Sequence, residues 1–522
     1  MKNSPIFSIR ALAAAALLPL AALAQGPDQL GQWSGEIKME NVPIHVSLLP
    51  NGKVLYWSRR EWAADRTHPL SNDLDPHECI PRLWDPKTQA TTRTNPEKPK
   101  DSDGHKINLF CAGHTFLPDG RLLVTGGHIA DGKGLNLTTT YDFATNTWTP
   151  SPAKMSGGRW YPTLVSLPDG TAVVAAGGDE NGQPNRQQQI LKNGAWANIT
   201  DFNNLPFYPR MHLTLNGDFF MSGPLNLTQF LRPTGTPLGW APLQPDGRRN
   251  RDNGDLNALQ EYGCSVFYRT TTQDPSLLWV GGGIPPTERA KTINLKNQGA
   301  GWQNAASMKF RRRQHNATML PDGTVLVTGG TQGDGGPQGG FNDLNIGSPI
   351  RAAERWDPAT NTWTVLAEEG FDRCYHSTAI LLPDATVLSA GGGEYRPDGN
   401  APNDPKDSHL NAQIFSPPYL FKGPRPVISS APASVRYNQA PFTVTTPQPG
   451  DIAKISIVGL SSVTHSWNSG QRLAFLTSTV DNGQLKVTAP TDPNDTPPGF
   501  YMLFLLNSQG VPSIATFLKI EK

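Results

Sequence analysis

Apolar and polar residues alternate along this chain in short bursts, and the bursts come in pairs. "TFLPDGRLLVTGG", "VSLPDGTAVVAAGG", "TMLPDGTVLVTGG" and "AILLPDATVLSAGGG" each run in one order: an apolar stretch, a Leu-Pro-Asp turn, a second apolar stretch and a glycine group. "SLLPNGKVLYWS", "LTLNGDFFMSG" and "SVFYRTTTQDPSLLWVGGG" repeat the phrase with no glycine pair, with one glycine and with a longer loop, respectively. Alternation over a few residues predicts half-buried strands. Asp-Gly between two such runs predicts a hairpin, because glycine accepts the positive φ of a tight turn. Near three of the copies, "RLWDPKTQATT", "TTYDFATNTWTP" and "ERWDPATNTWTV" predict two further strands joined by a polar turn.

Seven such units, spaced roughly 45 to 60 residues apart with about four strands each, predict an all-β chain with a seven-bladed kelch-type β-propeller. A solenoid or a pair of sandwiches fits that spacing less well. The propeller is expected over residues 25–422, its first blade starting near Trp33. After Gly393 the texture changes to a proline-rich exit, "IFSPPYLFKGPRPVIS", and then to short strands such as "KISIVGL", "QLKVTAP" and "FYMLFLLNS". That pattern predicts a C-terminal immunoglobulin-like β-sandwich over residues 423–522.

Composition agrees with many short strands: 51 Gly and 48 Pro among 522 residues, with 17% charged. A net charge of +1 gives no reason to expect nucleic acid or an anionic membrane as partner. Lys2 and Arg10, the apolar stretch from Ala11 to Leu23 and the small residues of "ALA" at Ala22 to Ala24 predict a secretory signal peptide, 1–24. Export follows, to the periplasm, the cell surface or beyond, and no other stretch is apolar and long enough to span a bilayer. A monomer is expected. The four cysteines, Cys79, Cys111, Cys264 and Cys374, are too few for a disulfide scaffold.

Equivalent positions in different blades approach one another at a propeller's axis. Seven residues before the turn proline stand Cys111 (Pro118), Tyr161 (Pro168) and His376 (Pro383), with Tyr375 one position earlier; Tyr208 and Gln314 are in phase. Any one of these alone reads as a packed residue. Together at one rim they read as a metal site, and imidazole with phenolate oxygen suits copper or iron better than calcium or magnesium. A second imidazole is available from His465 in "SSVTHSWNSGQR", at an expected hairpin tip of the sandwich.

"FCAGHTFLPDGRLLVTGG", "GGRWYPT", "RCYHSTAILLPD" and "VTHSWNSGQR", in that order, resemble the galactose oxidase and glyoxal oxidase family of secreted copper-radical oxidases, and lean toward the glyoxal oxidase branch. The resemblance implies a thioether between Cys111 and Tyr161 as the radical cofactor. It implies one copper ion held by Tyr161, His376 and His465, with Tyr375 as axial ligand and general base. It implies oxidation of small aldehydes or primary alcohols by O2, a surface glycan included among the candidates, with hydrogen peroxide released. The tryptophan that stacks over the thioether in galactose oxidase is replaced here by Asp179 or Glu180, which implies either a less shielded radical or cover by another aromatic such as Trp160. The arginines of "GRRNRDNGD" are expected either to face substrate or to be solvated, and Cys374 to pack on a strand. The rival reading is a noncatalytic secreted kelch propeller that binds glycans or cell-wall polymer; the fold alone does not separate the two.

Overall fold

The structure is a computed structural model that describes residues 25–59, 79–201, 205–234, 239–242, 248–251, 262–269, 274–296, 301–333, 347–393 and 408–522. The expected signal peptide lies outside these residues. Among them the regular structure is almost entirely strand, and no helix is long and apolar enough to cross a membrane.

Among the described residues up to Ser416, seven sheets of four to six strands follow one another along the chain. The repeated phrase supplies the two inner strands of each. In the second sheet Gly113–Phe116 pairs antiparallel with Leu122–Thr125, and "LPDG" closes the hairpin. Leu117 N–H donates to the Arg121 carbonyl at 2.9 Å, Asp119 Oδ1 accepts from Arg121 N–H at 3.0 Å, and Gly120 takes φ 88°. In the seventh copy Ala385 occupies the glycine's place and takes φ 64°. Inner strands of neighbouring sheets lie side by side: Gly113–Phe116 by Thr163–Ser166, Arg313–Met319 by Ser377–Leu381, and Ser377–Leu381 by His45–Leu48.

The glycine pairs mark where the next repeat's lead-in segment crosses. A β-carbon on Gly329, which has φ 67°, would lie 2.3 Å from the Arg373 carbonyl oxygen. The buried arginines on these segments tie the layers together: Arg312 donates to the Gly329 carbonyl at 2.8 Å, and Arg373 to that of Gly391 at 2.8 Å.

Two sheets are completed by distant segments. Gln32–Trp33 and Ile37–Lys38 pair with Asn411–Ser416 in the seventh sheet, so the segment at Trp33 ends the last repeat rather than beginning the first. The first sheet gains Ser462–Thr464 and Trp467–Asn468 from the C-terminal region, added beside His45–Leu48.

That C-terminal region is otherwise a five-stranded and a three-stranded sheet around one apolar core, with Val435, Ile455, Leu485, Val487 and Leu503 buried between them. The excursion that reaches the first sheet leaves after Ile452–Gly459 and returns at Leu473–Leu476. This hairpin carries His465 to the inner strands.

Candidate metal centre

The in-phase residues sit at the entry to each inner strand, all in the left-handed region. Cys111 has φ 62°, Tyr161 62°, Tyr208 44°, Gln314 60° and His376 66°. Tyr262, with φ 54°, fills the same place in the fifth repeat. A non-glycine residue held there costs of order 1–3 kcal/mol, so repetition at six places means that the surroundings impose it. Part of the cause is a chain of backbone bonds between repeats. Tyr161 N–H donates to the Cys111 carbonyl at 2.9 Å, Tyr208 N–H to that of Tyr161 at 2.8 Å, and Gln314 N–H to that of Tyr262 at 3.0 Å.

Four side chains converge on one buried place. The Tyr161 and Tyr375 hydroxyls are 2.7 Å apart. The His465 ring centre lies 4.5 Å from that of Tyr161, 4.7 Å from that of His376 and 5.6 Å from that of Tyr375. His376 stacks on Tyr375 at 3.8 Å. Cys111 is buried and packs in the same small cluster as Tyr161 and Tyr208.

His465 is held at the tip of a two-residue hairpin. His465 and Ser466 have φ 48° and 60°, and Thr464 pairs with Trp467 across them. Two positive φ values in succession define a type I′ turn, which matches the right-handed twist of its strands. Arg210, buried, donates to the His465 carbonyl at 3.0 Å and to that of Tyr208 at 2.7 Å.

The tautomers follow from the partners. A carbonyl can only accept, so the contact of His376 Nδ1 with the Gly393 oxygen at 3.2 Å places a proton on Nδ1 and the lone pair on Nε2. For His465 the logic runs through three links. The Tyr208 hydroxyl donates to the Ala112 carbonyl at 3.0 Å and accepts from Thr464, whose oxygen then accepts from His465 Nδ1 at 2.6 Å. His465 Nε2 thus carries a lone pair, and this buried atom has no hydrogen-bond partner among the described residues.

Burial holds His465 and Tyr161 uncharged. Desolvation keeps His465 well below the usual imidazole pKa, with His376 and His45 adding to the effect. Desolvation likewise lifts Tyr161 well above 10, with Tyr375 and Cys111 adding. Two imidazoles and two phenols at one buried point fit a copper ion, whose charge would offset the cost of ionising a buried phenol.

Trp160 lies flat on Tyr161, ring centres 3.6 Å apart and planes 7° apart, and its indole N–H donates to His128 Nδ1 at 3.2 Å. Asp179 is a turn residue whose carboxylate accepts from Asn181 and Gln183 N–H groups at 2.8 Å each. The residue beside the tyrosine therefore covers its ring.

Two expectations need correction. Arg251 is buried against the Trp279 ring at 3.8 Å and donates to the Ser222 carbonyl at 2.6 Å, so it is neither solvated nor turned to a substrate. Cys374 lies before the strand Ser377–Leu381, not on it. Sequence reasoning also passed over Tyr262, whose ring meets that of Tyr375 edge-on at 5.4 Å. The fifth repeat has no "LPD" proline to count from; aligning "YGCSVFY" with "HSTAIL" by strand alternation would have found it.

Residues 425–520 match the family model described as the galactose oxidase-like early set domain. A galactose oxidase of Gibberella zeae is 26% identical over 524 aligned residues, covering 94% of this chain and 71% of that protein. The aldehyde oxidase GLOX of Vitis pseudoreticulata is 28% identical over 438, covering 79% of this chain and 82% of that one. Among solved structures, a fungal alcohol oxidase in complex with copper superposes with a TM-score of 0.76 at 26% identity, covering 95% of this chain and all of that one. Over most of its length this chain is a homologue of the galactose oxidases and the GLOX aldehyde oxidases.

Proposed function

We propose that the protein is an exported copper-radical oxidase that oxidises small aldehydes or primary alcohols with O2 and releases hydrogen peroxide. The observation that carries this reading is the convergence of Tyr161, Tyr375, His376 and His465 at one buried point, beside Cys111. On this reading residues 1–24 are the leader. Residues 25–422 close into a seven-bladed propeller, and residues 423–522 form the sandwich that lends His465 to the site.

Copper, when bound, supplies one-electron redox capacity and an open position for the substrate oxygen. His376 and His465 would hold it through Nε2, their Nδ1 protons being committed to Gly393 and Thr464. Tyr375 takes the proton of the substrate hydroxyl, an aldehyde entering as its hydrate. Tyr161, made easier to oxidise by a thioether to Cys111, stores the second oxidising equivalent and takes a hydrogen atom from the adjacent carbon. The substrate thus loses two electrons and two protons, and O2 accepts both pairs as hydrogen peroxide. Trp160, flat on Tyr161, keeps water from the radical ring.

Intact mass tests this directly. Protein made without copper, then given Cu(II) and air, should lose two hydrogens, and Cys111 should stop reacting with an alkylating agent. A wild-type mass that stays unchanged while Cys111 still alkylates would overturn the proposal. A peroxide-coupled screen of small aldehydes, primary alcohols and sugars then identifies the substrate.

A further inference from the structure

Beside the proposed centre runs a second buried polar chain that the mechanism above does not use. It starts at the backbone N–H of Cys111, which donates to His45 Nε2 at 3.1 Å. His45 Nδ1 contacts His114 Nε2 at 3.0 Å, and His114 Nδ1 makes a short contact with Ser462 Oγ. Ser462 Oγ in turn meets Ser47 Oγ at 2.8 Å.

The first link decides both imidazole tautomers. An amide N–H only donates, so His45 Nε2 must be bare and its proton must sit on Nδ1. His45 Nδ1–H then donates to His114 Nε2, and His114 Nδ1–H donates to Ser462 Oγ, whose contact with Ser47 either hydroxyl can donate. For the two imidazoles, no other neutral assignment avoids setting two donors or two acceptors face to face. Packing fixes the rings in the same sense: His45 stacks on Trp57 with centres 5.0 Å and planes 7° apart, and His114 meets Trp57 edge-on at 5.3 Å. Trp57 is itself anchored by donation to the Leu109 carbonyl at 3.0 Å.

We infer that His45 and His114 are positioning residues that set Cys111 for its reaction with Tyr161 and register the His465 hairpin against it. Cys111 comes from the lead-in to the second sheet, His45 from the first sheet, and Ser462 from the excursion of the C-terminal region. One chain of fixed polarity therefore joins the segment that holds the sulfur to the segment that holds the imidazole. Its far end is only two residues from Thr464, which sets the tautomer of His465. A shift of the hairpin by one residue would take Ser462 away from His114, leaving a buried imidazole N–H unmatched. The hairpin therefore docks in one register, with the Cys111 N–H bound to His45.

This inference rests on the oxidase reading for its consequence but not for its geometry, so two measurements separate them. In metal-free, 15N-histidine-labelled full-length protein, His45 and His114, assigned by loss of signal in His45→Gln and His114→Gln, should both be neutral with the proton on Nδ1. Either ring carrying its proton on Nε2 would overturn the chain. The second measurement is the rate of the two-hydrogen mass loss after copper addition, in variants whose metal-free melting shows them folded. Ser462→Ala and His45→Leu should slow it about tenfold, while His45→Gln, whose amide can accept and donate, should stay closer to wild type. Wild-type rates in both Ser462→Ala and His45→Leu would refute positioning. A wild type that never cross-links would instead remove the oxidase reading and leave the tautomer result to decide the chain.

Discussion

At the scale of single residues the centre turns on one shared proton. The Tyr161 and Tyr375 hydroxyls stand 2.7 Å apart, and only one of them can donate into that contact. Tyr375→Phe removes the acceptor proposed for the substrate proton and leaves Cys111, Tyr161 and both imidazoles in place. We expect the variant to form the cross-link and to lose about 10²- to 10⁴-fold in kcat/KM, the usual contribution of a positioned acid or base. Peroxide release beside intact mass checks this; an undiminished rate would remove Tyr375 from proton transfer. Trp160 makes a separate contribution. An aromatic stack contributes about 0.5–1.5 kcal/mol beyond burial, equal to about two- to tenfold in a rate. Trp160→Ala should therefore shorten the lifetime of the oxidised Tyr161 by that factor, read from the decay of its optical band, with Trp160→Phe in between.

At the scale of elements the repeat is built from two kinds of glycine. Some accept a positive φ and nothing more: Gly347, φ 82°, has open space where a β-carbon would stand. Gly329, φ 67°, also lies under the backbone of the next repeat. Gly347→Ala should cost only the left-handed strain, about 1–2 kcal/mol. Gly329→Ala should cost that strain plus displacement of the Arg373 segment, more than about 3 kcal/mol in all. Equal shifts of the two variants in a urea titration would show that the close approach carries no cost. These elements were readable because their signals are local: Asp-Gly turns, alternating strands, and a proline from which to count to Cys111, Tyr161 and His376. Trp33 in the last sheet and Ser462–Trp467 in the first were not readable, since pairing with strands hundreds of residues away leaves no mark in a short window. His45 and His114 were missed for another reason. Each sits on a strand among apolar neighbours, and only the folded chain brings His45 to Cys111 N–H, 66 positions away.

At the scale of the whole molecule, the same burial that shapes the centre makes stability depend on pH. His114, His212 and His315 are all held down to about 3. Burial is the first cause for each, reinforced by Arg472 and Arg210 at His212 and chiefly by Arg312 at His315. In an unfolded chain an imidazole titrates near 6.5, as a rough reference value. Between that pH and the folded value the unfolded state binds more protons than the folded one, so stability falls as pH falls. The contribution is complete above about 6.5 and is lost progressively through the folded value, at about 1.4 kcal/mol per pH unit for each group. One unit below 6.5, these three groups together remove about 4 kcal/mol, a large share of the about 5–15 kcal/mol that keeps most proteins folded. The urea midpoint of the metal-free protein should therefore drop steeply from pH 6.5 to 5, and should be nearly level above 7. His212→Gln, in which an amide can still meet the Ser265 hydroxyl that His212 contacts at 2.8 Å, should make the drop shallower by about one proton. A midpoint that stays level down to pH 5 would mean that these imidazoles are charged, or reached by water, in the folded chain.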